Sequence, residues 1–299
     1  MMPITDPGAA QQLLAQGQAA LQRGDLPAAA QALGAARGHA DTRLAAHNLI
    51  EQHRLDGAFG AWTGLDCTIS PADDIFHFFA GHPTSINPLR DYFADGWRTL
   101  AELMLLMEAA GKPLLSTQHF LEFASGHGRF TRHLVKALGA PRVTVSDVVP
   151  DAVAFARQTF GVAGFVSSND PQALAWPRQW DVVFVLSLFS HLPASRWSPW
   201  LAHLYAAVQP GGLLIFTTHG AEALRKQNVQ LDESGFRFFA SSESHAIDAQ
   251  EYGTTFTSSD FVRQQIAQHL PGSRLLCHQE ACFWSHQDAF VLQKPQPAG

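Results

Sequence analysis

The stretch Leu121-Glu122-Phe123-Ala124-Ser125-Gly126-His127-Gly128-Arg129 decides how this chain is read. "HFLEFA" (119–124) enters it as an apolar, strand-like run, and "GRFTRHLVKAL" (128–138) leaves it with helical periodicity. A strand is therefore expected to turn into a helix through two glycines. Gly126 and Gly128 allow a tight turn and a close approach of backbone to a ligand. The amide end of the following helix suits an anionic group.

Further along, the alternation continues. "RVTVSD" (142–147) reads as a strand, "PDAVAFARQTF" (150–160) as a helix with Pro150 in its first turn, and "GFVSS" (164–168) as a strand. "WDVVFVLS" (180–187), "ASRWSPWLAHLYAAV" (194–208) and "GLLIFTTH" (212–219) then read as strand, helix and strand. Such alternation predicts a parallel sheet with helices on both faces. Residues 221–255 are polar and irregular, with "GFRFFA" the only strand-like piece. A helix is expected over 258–270, capped by Ser258 or Ser259. "SRLLCHQEACF" and "QDAFVLQKP" have no helix between them, so they predict an antiparallel terminal hairpin.

Ligands of open α/β sheets bind at the carboxyl ends of the strands, at the point where strand order reverses. The glycine turn lies there, and the next strand ends in Asp147, an acid placed to accept hydrogen bonds from both ribose hydroxyls of a nucleoside. That pair alone does not separate NAD from S-adenosylmethionine. Three features favour the second. A carboxylate, Glu122, stands inside the first strand and no G-x-G-x-x-G is present; only one βαβ half carries the glycine turn; and the chain ends in an antiparallel hairpin after the fifth strand.

Four segments in order resemble the class I S-adenosylmethionine-dependent methyltransferases. "LEFASGHG" looks like the family's first motif, E/D-x-G-x-G-x-G, with Ala124 in place of its first glycine. "VSDVVPDAV" looks like the second, "WDVVFVLSLFSHLP" like the strand-four motif, and "VQPGGLLIFTTHG" like the segment leading into strand five. The resemblance covers roughly residues 115 to 295. It implies an α/β fold with a seven-stranded, mostly parallel sheet and an antiparallel terminal hairpin, to which the helical spacing of residues 8–56 adds an N-terminal helical extension. It also implies S-adenosyl-L-methionine as cofactor. Glu122 would orient the methionine ammonium, and Ala124, Gly126 and Gly128 would form the cradle. Asp147 would hold the ribose, with Val148 beside the adenine and Asn169 and Asp170 near its amino group. Leu186 and Ser187 would line the cleft near the reacting methyl.

Methyl transfer to oxygen usually needs a base. Among 15 histidines, His191 in "SLFSHLP" and His219 in "TTHG" fall at the ligand side of the sheet and are the candidate catalytic residues. His245 and Tyr252 lie in the insertion expected to cover the site, whereas His286, Gln287 and Asp288 at the last turn read as structural. No metal-ligand spacing is present, so no metal is expected. The N-P-P-Y motif of enzymes that methylate nucleic-acid amino groups is replaced by "LSLF".

Residues 1–56 are rich in Ala, Leu and Gln. "QGQAALQRGDLPAAAQALGAA" reads as a helical hairpin resembling one tetratricopeptide-like unit, a possible protein-partner surface over 8–56. Residues 57–114 hold an aromatic loop and a helix over 90–111, expected to cap the cofactor. Phe76, Phe79, Tyr92 and Trp97 are candidates for an apolar lining, and Tyr92 is the one expected at the cofactor. Residues 115–299 make the cofactor-binding domain. The net charge of −6 and the lack of a basic run argue against nucleic acid. No apolar run reaches the roughly 18 residues of a membrane span, and the N-terminus does not resemble a signal peptide. Three scattered cysteines suit a reduced compartment, so the cytoplasm is expected. The expected activity is methylation of O or N on a small molecule or saccharide. A protein- or carrier-bound acceptor recruited by the N-terminal helices, and a non-catalytic cofactor-binding interaction protein, stand as alternatives.

Overall fold

The computed structural model describes residues 7–241 and 248–296. His245 therefore lies outside the described residues. The chain divides into two compact units, 1–89 and 90–299.

In the first unit, helices α1 (Pro7–Gln22), α2 (Leu26–Ala36) and α3 (Arg43–Gln52) are followed by a short α4 (Gly60–Thr63) and α5 (Asp74–Gly81). Asp25 caps α2 by accepting from the Ala28 amide. Gly17 brings α1 and α2 close together, since a Cβ there would meet Leu33. A third helix joins the predicted hairpin. Its polar side chains organise the segment after it: Asn48 pairs with both the amide and the carbonyl of Ile69, His47 Nε2 reaches the Cys67 carbonyl, and Glu51 accepts from the amides of Phe59 and Gly60. The aromatic region is thus a loop with two short helices.

The second unit begins with α6 (Pro88–Ala109), followed by β1 (Phe120–Phe123), α7 (Thr131–Leu138), β2 (Val143–Asp147), α8 (Pro150–Phe160), β3 (Ala163–Val166), β4 (Trp180–Val185), α9 (Ala194–Ala206) and β5 (Val208–His219). Then come α10 (Ala221–Gln227), β6 (Phe236–Phe239), β7 (Thr254–Thr257), α11 (Ser259–His269), β8 (Arg274–Phe283) and β9 (Gln287–Gln293). Strands β1 to β5 are parallel in the order β3-β2-β1-β4-β5, with antiparallel β9 and then β8 beyond β5. This is the expected seven-stranded sheet. Alternation along the strands gives it two dry faces. Phe120, Val145, Val182, Phe184 and Ile215 meet α6, α7 and α8, while Leu121, Phe123, Val183, Val185 and Phe216 meet α9 and α11.

Two strands are additional. Phe216 pairs with Val185 and Phe290, so β4 and β9 occupy opposite edges of β5. His219 pairs with Gln287 of β9 and also with Phe256 of β7. Strand β7 therefore lies on the β4 edge, past the point where β4 ends. With β6 it forms a ribbon above the carboxyl end of β4. Strand β6 falls in the strand-like "GFRFFA", whereas the expectation that the rest of 221–255 is irregular is corrected by helix α10 and by the start of β7.

Candidate active site

Strand order reverses at β1, which pairs with β2 on one side and β4 on the other. Glu122 occupies the β1 position that faces α7. It is buried, and its carboxyl accepts from Thr131 Oγ1 at 2.7 Å. Burial pushes its pKa up to about 8, with the Thr131 hydrogen bond opposing and nearby Asp147 adding to the rise. A cation placed beside this buried carboxyl would favour its charged form.

The turn itself is left-handed at three positions: Ala124 (φ 60°), Gly126 (φ 55°) and Gly128 (φ 83°). Ala124 thus adopts the conformation that its glycine counterpart in the family motif would favour. The two glycines have different surroundings. A Cβ on Gly126 would meet open space, whereas one on Gly128 would run into the Phe160 ring of α8. Gly126 leaves the open side of the turn clear, and Gly128 serves the packing of the turn against α8. Asp147 ties the turn to β2: Oδ2 accepts from the Gly126 amide at 2.8 Å and Oδ1 from the Val149 amide at 2.9 Å. Burial raises its pKa, and these amides oppose the rise. Val148 is half-buried next to it. This combination of a buried carboxyl, an open glycine and an acid at the end of β2 fits a nucleoside bearing an ammonium group.

The other predicted contacts are distributed unevenly. Asn169 is exposed beyond β3, and Asp170 accepts from the Gln172 amide, capping a short 3-10 turn. Tyr92 is buried on α6, where Arg132 Nη2 donates to its hydroxyl at 3.3 Å. Arg132 Nε in turn donates to the Gly128 carbonyl at 3.1 Å, so Tyr92 reaches the glycine turn through Arg132. Trp97 is exposed.

At the end of β4, Leu186 and Ser187 are half-buried, and Ser187 turns the chain with φ 64°. Beyond it the structure brings His191 and His219 together, with ring centroids 6.1 Å apart. Both are held by the β6–β7 ribbon. His191 Nδ1 donates to the Gly253 carbonyl at 2.6 Å, and His219 Nδ1 to the Thr255 carbonyl at 3.1 Å. Backbone bonds from the amides of Gly253 and Thr255 to the carbonyls of His191 and Ser190 fasten the same segment, and Tyr252 stacks on the His191 ring at 4.5 Å. Desolvation lowers His191 to about 4, against the Gly253 bond. It lowers His219 to about 3, helped by His191 and His286. Both rings are neutral at pH 7, and since each Nδ1 carries the proton, each Nε2 carries a lone pair.

Gln287, read from sequence as structural, belongs to this group. It is buried on β9, across from His219. Its neighbour Asp288 faces elsewhere, pairing with His278 and the Ala281 amide. His286 packs beside His219 at 5.1 Å. Among the described residues, no group of three or more His, Cys, Asp or Glu side chains is placed to hold a metal. None of their helices is long and apolar enough to cross a membrane.

A doubly wound sheet with this glycine turn and the acid at the end of β2 fits a nucleoside cofactor. Residues 121–214 match the family model described as a methyltransferase domain. The chain thus carries an S-adenosylmethionine-dependent methyltransferase domain, with S-adenosylmethionine as its cofactor. No curated protein matches the sequence. Similar solved structures include DhpI in complex with S-adenosylhomocysteine, at 21% identity and a TM-score of 0.43 over 69% of this chain and 94% of that one. Another is the 1,6-didemethyltoxoflavin-N1-methyltransferase of Burkholderia thailandensis, at 17% identity and 0.48 over 69% and 82%. A third is the magnesium protoporphyrin IX methyltransferase of Synechocystis PCC 6803, at 14% and 0.48 over 74% and 93%.

Proposed function

We propose that this enzyme methylates a hydroxyl oxygen of an uncharged small molecule, saccharides included, with His191 as the base. The observation that carries the proposal is the His191 ring, neutral, with Nδ1–H spent on a backbone carbonyl and the Nε2 lone pair left to accept.

When bound, S-adenosylmethionine supplies a methyl group on a sulfonium and keeps the carbon–sulfur electron pair as it gives the methyl up. Glu122, Gly126 and Asp147 would hold it. What the chain must then do is align an acceptor and take one proton from it. As an oxygen–carbon bond forms, a neutral hydroxyl becomes positively charged, and its proton becomes far more acidic than an imidazolium. An imidazole of pKa about 4 is strong enough to take that proton. An alkyl amine would give a product ammonium with pKa about 10, which would keep its proton in front of so weak a base. The groups around the two histidines are carbonyls, serines, Gln287 and aromatic rings. They suit a hydroxyl donor better than an anion, whose charge would face lone pairs.

The test has two stages. Calorimetric titration with S-adenosylmethionine, S-adenosylhomocysteine and NAD should give binding of the first two, weakened at least tenfold in Asp147→Ala. A screen of neutral phenols, alcohols, saccharides and amines with methyl-labelled cofactor should then give an ether product. His191→Asn should lower that rate by about 10²–10⁴ and leave cofactor affinity within a few fold. Methylation of amines alone, or full activity in His191→Asn, would overturn the assignment.

A further inference from the structure

Gln287 lies outside the four motif segments quoted for the methyltransferase resemblance, yet its side chain connects both histidines of the site. Its Oε1 accepts from Thr217 Oγ1 at 2.6 Å. Its Nε2 donates to Ser187 Oγ at 2.7 Å and faces His219 Nε2 at 3.4 Å. Thr217 Oγ1 also accepts from the Ser187 amide at 2.8 Å, which closes the circuit.

The protons in this group can be assigned by exclusion. His219 Nδ1 faces the Thr255 carbonyl and must carry a proton, so Nε2 is a lone pair. A lone pair cannot face the Gln287 carbonyl oxygen, so the amide must present its NH₂ to His219 and Ser187. Its oxygen is thereby turned to Thr217, the only one of the three partners left to donate. Ser190 Oγ donates to the Ser187 carbonyl at 2.8 Å, so its own proton is spent. The Ser187 hydroxyl proton then points to Ser190 Oγ at 3.0 Å or to His191 Nε2 at 3.5 Å. Of the two imidazole lone pairs, that of His219 is covered by an amide donor. That of His191 has only a long contact with Ser187.

We propose that Gln287 is a positioning residue of the active site: it covers the His219 lone pair and orients Ser187, so that His191 Nε2 alone is open to the acceptor's hydroxyl. This rests on the methyl-transfer reading of the site. It assigns the histidines unequal roles, His191 as base and His219 as part of the support. It also explains why the last hairpin must dock beside β5 before the site is complete.

The experiment is histidine-detected ¹⁵N NMR of the full chain, with signals assigned by loss in His191→Asn and His219→Asn. In the unmodified protein both rings should carry the proton on Nδ1 and stay neutral down to pH 5. Gln287→Glu exchanges the amide donor for a carboxylate of the same shape. The other groups facing His219 are His191 from the β4 exit, His286 from the β8–β9 turn with Lys226 and Glu222 of α10 near it, the Thr255 carbonyl from β7, and the Phe256 ring. Against that background the new carboxylate should let His219 take up a proton close to neutral pH and leave the His191 tautomer unchanged. Gln287→Leu should keep the His219 tautomer but change the Ser187-dependent Nε2 shift of His191. Affinity for S-adenosylhomocysteine should stay within twofold in both variants. An Nε2 proton on His219 in the unmodified protein, or a His219 titration unmoved in Gln287→Glu, would overturn the proposal, and the first needs no variant to fold. Failure of S-adenosylhomocysteine to bind the unmodified protein would instead strike at the cofactor reading.

Discussion

Gly126 and Gly128 stand two residues apart in one turn, and a methyl group added to each should have different effects. At Gly126 an alanine pays the left-handed strain of about 1–2 kcal/mol and projects its Cβ into open space where the cofactor would lie. Gly126→Ala should therefore melt slightly below the parent yet lose at least tenfold in affinity for S-adenosylhomocysteine. At Gly128 the same change adds a collision with Phe160. Gly128→Ala should lose more stability, about 2–5 kcal/mol from strain and overpacking together. Paired thermal melts and titrations check the contrast, and equal effects in both would remove the distinction. Glu122 gives a second test at this scale. Its carboxyl, at about 8, is mostly protonated at pH 7; a cofactor ammonium beside it would favour the charged form, so binding should release a proton. Affinity should rise with pH toward about 8 and fall again where the ligand's own ammonium loses its proton. Calorimetry in buffers of unlike ionisation enthalpy would count the proton, and Glu122→Gln should abolish its release. The sequence made this half of the site legible because the motif is local: the turn, its acid and its glycines fall within 121–147. Gln287 was not legible, because its partners Ser187, Thr217 and His219 lie 68 to 100 residues away and a glutamine in a terminal strand carries no signature.

The β6–β7 ribbon sets both histidines through the carbonyls of Gly253 and Thr255, which are two residues apart along one strand and so point the same way. Gly253 is required because β6 passes so close: a Cβ there would meet the Phe239 carbonyl and the Phe238 ring. Gly253→Ala should push the ribbon away and loosen the Nδ1 bonds. Loss of the Gly253 bond by itself would lower His191 further, but water admitted to the ring relieves the larger desolvation, so the His191 titration should move up from about 4 toward its ordinary value near 6.5, with cofactor affinity retained because the glycine turn is untouched. NMR titration of the His191 ring checks this, and an unchanged titration in a folded variant would show that the ribbon does not set it. This element was the part of the fold least visible in the sequence. Strand β7 has only four residues, Thr254–Thr257, and on the side away from β6 its neighbours are one residue of β5 and the irregular backbone at 190–191. It therefore shows neither the long apolar run nor the alternation by which β1, β4 and β5 could be recognised. Helix α10, with seven residues, was hidden in the same way. By contrast the fully buried β4 and the terminal hairpin announced themselves through composition.

For the whole molecule, the displaced groups pull stability in opposite directions with pH. His133, His191 and His219 are held at about 4, 4 and 3 by desolvation. Their folded values lie below the unfolded value of about 6.5. Staying neutral in the folded state thus costs nothing above pH 6.5, and stability is lost as pH falls from there toward 3. Glu122 has the opposite sign. Its folded pKa exceeds its unfolded value of 4.5, so its contribution is full below 4.5 and is lost as pH rises through 8. Asp147, also raised, acts in the same sense. Without cofactor, the melting temperature should pass through a maximum near pH 6.5, falling on the acid side through the histidines and on the alkaline side through the two carboxyls. S-adenosylhomocysteine carries the ammonium that the carboxyl of Glu122 lacks, and should flatten the alkaline limb while leaving the acid limb in place. Glu122→Gln should flatten the alkaline limb without any ligand, and His219→Gln should soften the acid one. Melts from pH 4 to 9, with and without ligand, decide the matter: an alkaline limb equally steep in Glu122→Gln would mean that this carboxyl is not the group being charged.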